Sequence, residues 1–466
     1  PIENEIIDLG FWPGGDRDGN PFVTTKITLD VAERLRQTIL RSYYRDIRRL
    51  KRRFTFDGVQ SILSKVEKRL YKHVVRSYAK VNFSQKILLE ELYAAREIIV
   101  NKHQSLFVEE LNDVINKVRI FGFHFASLDI RQDSRVHHKA FTQIVEDLHK
   151  TGDTTFPKNY LTLSEKEQID ILSIVKGEID TSILTDETSV KTIESIYALK
   201  EIQHRNGERG ANRYIISNNQ TALNVMETFA MLNLCGFENE LPVDVIPLFE
   251  TVEDLENAED VMRTLYSNQT YRHHVSKRKN KQTIMLGFSD GTKDGGYLMA
   301  NWGIFKAKEA LTKISKEFDI EVIFFDGRGG PPARGGGKTH QFYASLGPTI
   351  EDKEIQLTVQ GQTISSNFGT LNSSQYNLEQ LLSSGIKNDV FTKDQLNDAH
   401  RELMNDMATS SYQTYVDFKN HPQFLPYLEK MSTLKYYAKT NIGSRPSKRA
   451  TSDTLDFSAL RAIPFV

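Results

Sequence analysis

Apolar residues recur at intervals of three and four over long windows of this chain. Ala222, Val225, Phe229 and Leu232 form one series, with Gly236 placed to cap its C-terminus. Ile304, Ala307, Leu311, Ile314 and Phe318 form a second, and Phe141, Ile144, Val145 and Leu148 a third. The pattern predicts a predominantly α-helical chain. Between the helices lie seven short apolar runs of strand length: residues 121–130, 213–217, 244–249, 283–288, 321–325, 355–359 and 459–466. The four steps from 213 to 355 are each at least the size of a βα unit, about 30 residues. Strands that alternate with helices predict a parallel sheet covered by helices.

Each apolar run adjoins a polar or glycine-rich segment. These read IRQDS, SNNQ, ETVED, SDGTKDGG, DGRGGPPARGGG and QGQ, with GSRPSKR just before the last run. Polar chemistry at the C-terminal ends of successive parallel strands is the expectation for a (β/α)8 barrel. Seven strands leave the barrel one short, and the missing strand is expected upstream of Pro1. The chain starts without methionine and stops on the apolar run Phe465-Val466, so it reads as a segment of a longer protein. Residues 1–120 read as a turn-rich start followed by a helical block from about residue 25. Residues 121–466 read as the α/β barrel, with helical insertions at about 132–212 and 361–458.

Composition narrows the class. Apolar residues make up 39 % of the 466 and charged residues 26 %, enough for a sizeable core. Sixty Lys and Arg against 61 Asp and Glu leave a formal charge of -1, which argues against nucleic acid or an anionic membrane as the defining partner. The basic run from Arg41 to Arg53 reads as a solvated helix face or a subunit contact. One cysteine, Cys235, excludes a disulfide framework and a multi-thiolate zinc site. No apolar stretch approaches about 18 residues, so no membrane span is expected. With no signal peptide in view, the setting expected is cytoplasmic.

The most informative motif is LGFSDGTKDGG, residues 286–296. Asp290 and Lys293 follow a strand and open a helix whose N-terminus favours anions. Asp290 suits a hard divalent metal and Lys293 a small anion; the alternative is a strand-to-helix turn capped by Asp290. The segment FFDGRGGPPARGGGKTH sets Arg328 and Arg334 among six glycines from Gly327 to Gly337. It reads as a phosphate-gripping lid, with a surface loop or an RNA-binding tract as alternatives. Glu250, at the end of PLFE, pairs with Asp290 as a two-carboxylate magnesium site, or is an ordinary helix-start carboxylate. Arg131, Arg445 and Arg461 lie at or within strand ends, where an unpaired arginine is costly. Together with the lid pair they suggest a polyanionic substrate; structural ion pairs are the alternative for each. FWPGGDRDGNPF, residues 11–22, is a dense turn with no assigned chemistry. His137 and His138 read as solvated, and His124 as a core histidine within a strand.

The strings GGDRDGNP, LDIRQDS, LFET, GFSDGTKDGG, GRGG…RGGG and IGSRPSKR followed by LRAIP stand here in the order found in phosphoenolpyruvate carboxylases. The resemblance covers essentially the whole chain. It implies a phosphoenolpyruvate/pyruvate-type (β/α)8 barrel, incomplete in this chain. It also implies anaplerotic carboxylation of phosphoenolpyruvate by bicarbonate to oxaloacetate and phosphate. By the same resemblance Glu250 and Asp290 match the ligands of Mg2+ or Mn2+, and Lys293 matches the active-site lysine associated with bicarbonate. Arg131, Arg328, Arg334, Arg445 and Arg461 match the arginines that hold phosphate and carboxylate. Arg334 also matches a contact of acidic inhibitors such as aspartate or malate, and the parent protein is expected to be a homotetramer.

Three departures stand out, one being that the family's far C-terminal region, with further inhibitor-binding residues and much of the subunit contact, is not among these residues. The family's TAHPTE-like histidine signature is absent from these residues, so the isolated segment is expected to be inactive. Asp326 stands where the family usually has histidine, and an extra carboxylate there would bind metal or weaken anion binding. Two further readings remain: another divalent-metal barrel lyase acting on phosphoenolpyruvate or pyruvate, and a non-catalytic derivative.

Overall fold

The computed structural model describes residues 6–20, 22–75, 83–237, 240–327, 338–359, 362–390 and 396–431. The chain forms two compact units. One comprises Pro1–Arg17, Pro21–Ile130 and Val190–Arg213, the other Asp18–Asn20, Arg131–Ser189 and Tyr214–Val466.

The first unit is helical. After β1 (Gly10–Phe11) come α1 (Thr25–Arg53), α2 (Val59–Val75), α3 (Gln85–Lys102), α4 (Val108–Phe121) and the short β2 (Ser127–Leu128), which pairs in parallel with β1. Thr24 caps α1 by accepting from Ile27 N, and Ser84 caps α3 by accepting from Ile87 N. The helices bury one face each in a shared cluster that includes Leu40, Tyr43 and Ile47 of α1, Leu63 and Val66 of α2, Leu92 of α3 and Val118 of α4. Side chains of this kind, removed fully from water, contribute about 1.5–3 kcal/mol each. The basic run lies on α1 and is met by acids. Arg48 and Lys51 pair with Glu67, Arg49 with Asp46, and Arg53 with Glu110.

The FGFHFASLDI run does not form one strand. Its first residue completes α4, Gly122 and Phe125 take positive φ of 47° and 66°, and only then does β2 begin. The run is apolar for another reason: Phe123 is buried in the helical core and Phe121 packs against it. His124 is buried, in this turn rather than in a strand. Within the same unit Trp12 Nε1 donates to Asp129 Oδ2 at 2.9 Å, and Arg213 Nε donates to Asp129 Oδ1 at 2.6 Å. A Cβ on Gly15 would stand 2.0 Å from the Asp129 carbonyl, so the turn of residues 11–22 requires glycine there.

The second unit holds a six-stranded sheet in the order β3 (Ile130–Asp133), β4 (Arg213–Ser217), β5 (Asp244–Phe249), β6 (Lys281–Leu286), β7 (Glu321–Asp326) and β8 (Ile355–Leu357). The pairs β5–β6, β6–β7 and β7–β8 are parallel. Between strands run α5 (Ser134–Thr151), α6 (Glu165–Leu172), α7 (Glu187–Asn206, most of it in the first unit), α8 (Ala222–Asn233), α9 (Val252–Ser267), α10 (Gln269–Lys277), α11 (Phe288–Glu317) and α12 (Thr339–Ala344). After β8 follow α13 (Gln362–Phe368), α14 (Leu371–Val390), α15 (Asp398–Lys419) and α16 (Phe424–Met431). The chain is thus mostly helical around a parallel sheet. The apolar run 459–466 lies outside the described residues.

Of the two histidines expected to be solvated, one is and one is not. His138 is exposed and pairs with Glu227. His137 is fully buried, with Tyr214 Oη 3.0 Å from Nε2 and Thr228 Oγ1 2.9 Å from Nδ1.

Asp326 is also unlike the sequence reading. It ends β7 fully buried, and Lys308 of α11 places Nζ 2.8 Å from Oδ1 and 2.9 Å from Oδ2. Tyr343 Oη donates to Oδ2 at 2.7 Å. Lys308 Nζ also lies 5.1 Å from the Phe324 ring, two residues back on the same face of β7. The carboxylate therefore points at the helix that covers the sheet and is neutralised there, rather than standing as a spare metal ligand. Removing one member of a buried pair leaves the other charged and unmatched, which costs about 3–5 kcal/mol. Lys308→Met and Asp326→Asn should each lose about that much in urea unfolding. The double variant should lose clearly less than the sum, and simple additivity would show that the pair is not coupled.

Candidate functional site

Glu250 follows β5 directly and precedes the N-cap of α9. That cap is reciprocal. Asp254 N donates to Thr251 Oγ1 at 3.1 Å, and Asp254 Oδ2 accepts from Thr251 N at 3.0 Å and from Glu250 N at 3.2 Å. The backbone at Glu250 is therefore fixed by the helix behind it. Its side chain is buried, and Oε2 accepts from Asn218 N at 2.9 Å. Asn218 lies just past β4 with φ 52°, and its carbonyl accepts from Ser134 Oγ at 2.6 Å. The ends of β3, β4 and β5 are joined at one place.

Asp290 lies in the first turn of α11. A Cβ on Gly287 would stand 3.0 Å from Glu250 Cγ, and one on Gly291 would stand 3.1 Å from the Glu250 carbonyl oxygen. Glycine at both positions lets the helix start close against Glu250, so the two acids share one field. The consequence is electrostatic. Burial pushes the pKa of Glu250 up to about 8, the charge of Asp290 adds to the shift, and Asp18 adds further. Arg131 and the Asn218 N–H oppose it.

Arg131, on β3, is 4 % exposed, and its Nη2 donates to Asp18 Oδ2 at 2.5 Å. Asp18 is itself 3 % exposed, so this ion pair is sealed from water. Arg135, in the first turn of α5, grips Asp133 through Nε at 2.9 Å and Nη2 at 2.6 Å. Its pKa is raised chiefly by that bond, and Asp18 and Glu250 contribute. Lys293 lies one helical turn beyond Asp290, half-buried, and its carbonyl accepts from Tyr415 Oη at 2.8 Å. The Asp294 carboxylate accepts from Val252 N at 3.1 Å, joining α11 to the start of α9.

The structure thus brings Glu250, Asp290 and Arg131 into one electrostatic cluster, with Lys293 on the same helix as Asp290. Arg328, Arg334, Arg445 and Arg461 lie outside the described residues. Sequence reasoning overlooked Asp18, Arg135 and Asp294. Asp18 was visible only as part of an acid-rich turn, and Arg135 as the basic residue four places after Arg131. Among the described residues no group of three or more His, Cys, Asp and Glu side chains forms a metal cage. Two carboxylates with open positions fit magnesium, which keeps waters and takes substrate oxygens. Glu250 is buried beside a like charge, and a cation between the two acids would relieve that repulsion.

The family model described as phosphoenolpyruvate carboxylase matches residues 1–86 and 58–466. A phosphoenolpyruvate carboxylase of Nitrosomonas eutropha (strain DSM 101675 / C91 / Nm57) is 29 % identical over 517 aligned residues, which take in 100 % of this chain and 55 % of that relative. The chain therefore spans about half the length of the curated relative it matches. The ordered motifs, the family model and the alignment agree along the whole sequence, and the chain belongs to the phosphoenolpyruvate carboxylase family.

Proposed function

We propose that this chain is a core segment of an enzyme that carboxylates phosphoenolpyruvate with bicarbonate, giving oxaloacetate and phosphate. The observation that carries the reading is the cluster of Glu250, Asp290 and Arg131 at the ends of neighbouring strands. The barrel belongs to this reading. Six strands in sequential order with parallel pairing are what an open portion of a (β/α)8 barrel requires. The whole enzyme is proposed to be cytoplasmic and homotetrameric, with an acidic inhibitor such as aspartate or malate acting through Arg334.

Glu250 and Asp290 would hold Mg2+ or Mn2+, whose charge, when bound, offsets that of phosphate and enolate oxygens. A bicarbonate oxygen attacks phosphorus, the phosphorus–oxygen bond to the enolate breaks, and carboxyphosphate forms. Carboxyphosphate then splits into carbon dioxide and phosphate. The enolate carbon attacks carbon dioxide to form the new carbon–carbon bond. Arg131, held by Asp18, presents fixed positive charge to the anionic substrate, and needs no reorganisation as charge moves. Arg328, Arg334, Arg445 and Arg461 are assigned the remaining phosphate and carboxylate contacts. Lys293 is assigned to bicarbonate, and the segment bearing Arg328 and Arg334 to the exclusion of water from the enolate.

Three outcomes test this reading. In the full-length protein, oxaloacetate formation followed with a coupled dehydrogenase should depend on bicarbonate. Phosphate release that ignores bicarbonate would point to another lyase. Lys293→Ala should lower that turnover by roughly 10²–10³-fold, and near-normal rates would remove Lys293 from the site. The isolated 466 residues should form no oxaloacetate, because the expected histidine signature is not among them. Burial also sets a pH dependence. Glu250 keeps its proton in the folded chain up to about pH 8 but loses it in the unfolded chain in the ordinary carboxylate range. The unfolded state then binds fewer protons, so stability falls as pH rises between those limits. Thermal unfolding of the metal-free protein should show wild type losing stability against Glu250→Gln over that interval. Mn2+ should stabilise wild type more than the variant.

A further inference from the structure

The helices after β8 read as elaborations of the sheet, yet one of them is bonded to the candidate active-site segment itself. Helix α15 runs antiparallel along α11. Near its start Arg401 grips Glu309 through two bonds of 2.6 and 2.8 Å. Further along, Trp302 Nε1 donates to Asn405 Oδ1 at 2.7 Å. Ala408 is fully buried in an apolar seam with Val252, Met299 and Trp302. At its end α15 reaches residues 293–296. Tyr415 Oη donates to the Lys293 carbonyl at 2.8 Å, and Lys419 Nζ donates to the Asp294 carbonyl at 2.7 Å. Lys419 also stands 3.6 Å from Asp294 Oδ1.

These contacts fall on a break in α11. Gly296 has φ 75° and ψ 169°, so the helical hydrogen-bond pattern is interrupted there. Carbonyls preceding such a break lack their usual intrahelical partners and must be satisfied otherwise. Tyr415 and Lys419 supply donors at two of them. The Tyr415 ring packs so closely that a Cβ on Gly296 would meet it at 3.1 Å. Asp294, held by Lys419, in turn accepts from Val252 N, two residues beyond Glu250.

We propose that α15 is a brace for catalysis, and that Tyr415 and Lys419 are positioning residues that set the backbone of Lys293–Gly296 and, through Asp294, the start of α9 beside Glu250. This deepens the functional reading above and rests on it for its kinetic arm only. A 1 Å misplacement of a reacting group costs up to about 10²-fold in rate. The brace therefore acts on turnover more than on substrate capture.

The test uses Tyr415→Phe, Lys419→Met and their combination in the full-length protein, with Lys419→Arg as the conservative control. Amide hydrogen exchange of residues 293–296 should speed up at least about 10-fold in the double variant, while α1 and α3 keep their protection. The turnover number should fall roughly 10- to 10²-fold, with the KM for phosphoenolpyruvate changing less than about twofold. Lys419→Arg, which keeps a cationic donor, should restore most of the rate. Unchanged exchange at 293–296 would overturn the brace. So would a loss of thermal stability with turnover per folded molecule intact, which would mark α15 as structural only. Wild type that makes no oxaloacetate would instead overturn the functional reading, and the exchange arm would then decide the brace alone.

Discussion

An ionised carboxylate inside a protein must be met by positive charge or hydrogen bonds, or it takes up a proton. Glu250 sits at that boundary. It is enclosed at the ends of three strands, receives one backbone N–H from Asn218, and feels Asp290 and Asp18 as neighbours of its own sign. Arg131 is the opposing charge, and that arginine is already engaged by Asp18. The chemistry proposed for the cluster brings a cation, whose charge would offset that of the two neighbouring acids. Much of the nearby architecture serves to hold this uncomfortable arrangement in place.

The means are local and mostly backbone-based. The box of Thr251 and Asp254 fixes the chain at Glu250 as α9 begins. Glycines at 287 and 291 remove the side chains that would hold Asp290 at a distance. Asp294 bonds the start of α9, and α15 bonds the successive carbonyls of Lys293 and Asp294. Strand ends supply the side chains, helix starts supply the donors, and a helix remote in sequence restrains the segment that carries the lysine. The acids that matter are held by peptide groups and packing, so few of the supporting residues are themselves chemically distinctive.

That is why the sequence was readable in some places and not in others. Strands 213–217 and 244–249 were legible to the residue, because apolar runs between polar ends have no competing helical reading. The helical series at 141–148, 222–232 and 304–318 were equally clear. The run from Phe121 failed because an apolar run of strand length also fits the last turn of a helix followed by a turn with positive φ. Glu250, Asp290 and Arg131 could be picked out by their positions after strands, yet nothing in their spacing showed that they share a field. Asp18 was hidden because an acid in a glycine-rich turn is usually a turn residue. The Lys308–Asp326 contact was hidden for another reason. A lysine on an amphipathic helix reads as exposed, and only the packed structure shows that three rings surround it.

The same contact bears on how this sequence can drift. A lone change at either codon leaves a naked charge in a dry interior, so selection resists each first step even where the final state would be tolerated. An ancestor carrying a neutral pair could reach this state only through a weakened intermediate or by near-simultaneous change. Once there, reversal faces the same barrier. Chimeras that import strand β7 without its covering helix, or the helix without the strand, should inherit that incompatibility however similar the two parents are elsewhere.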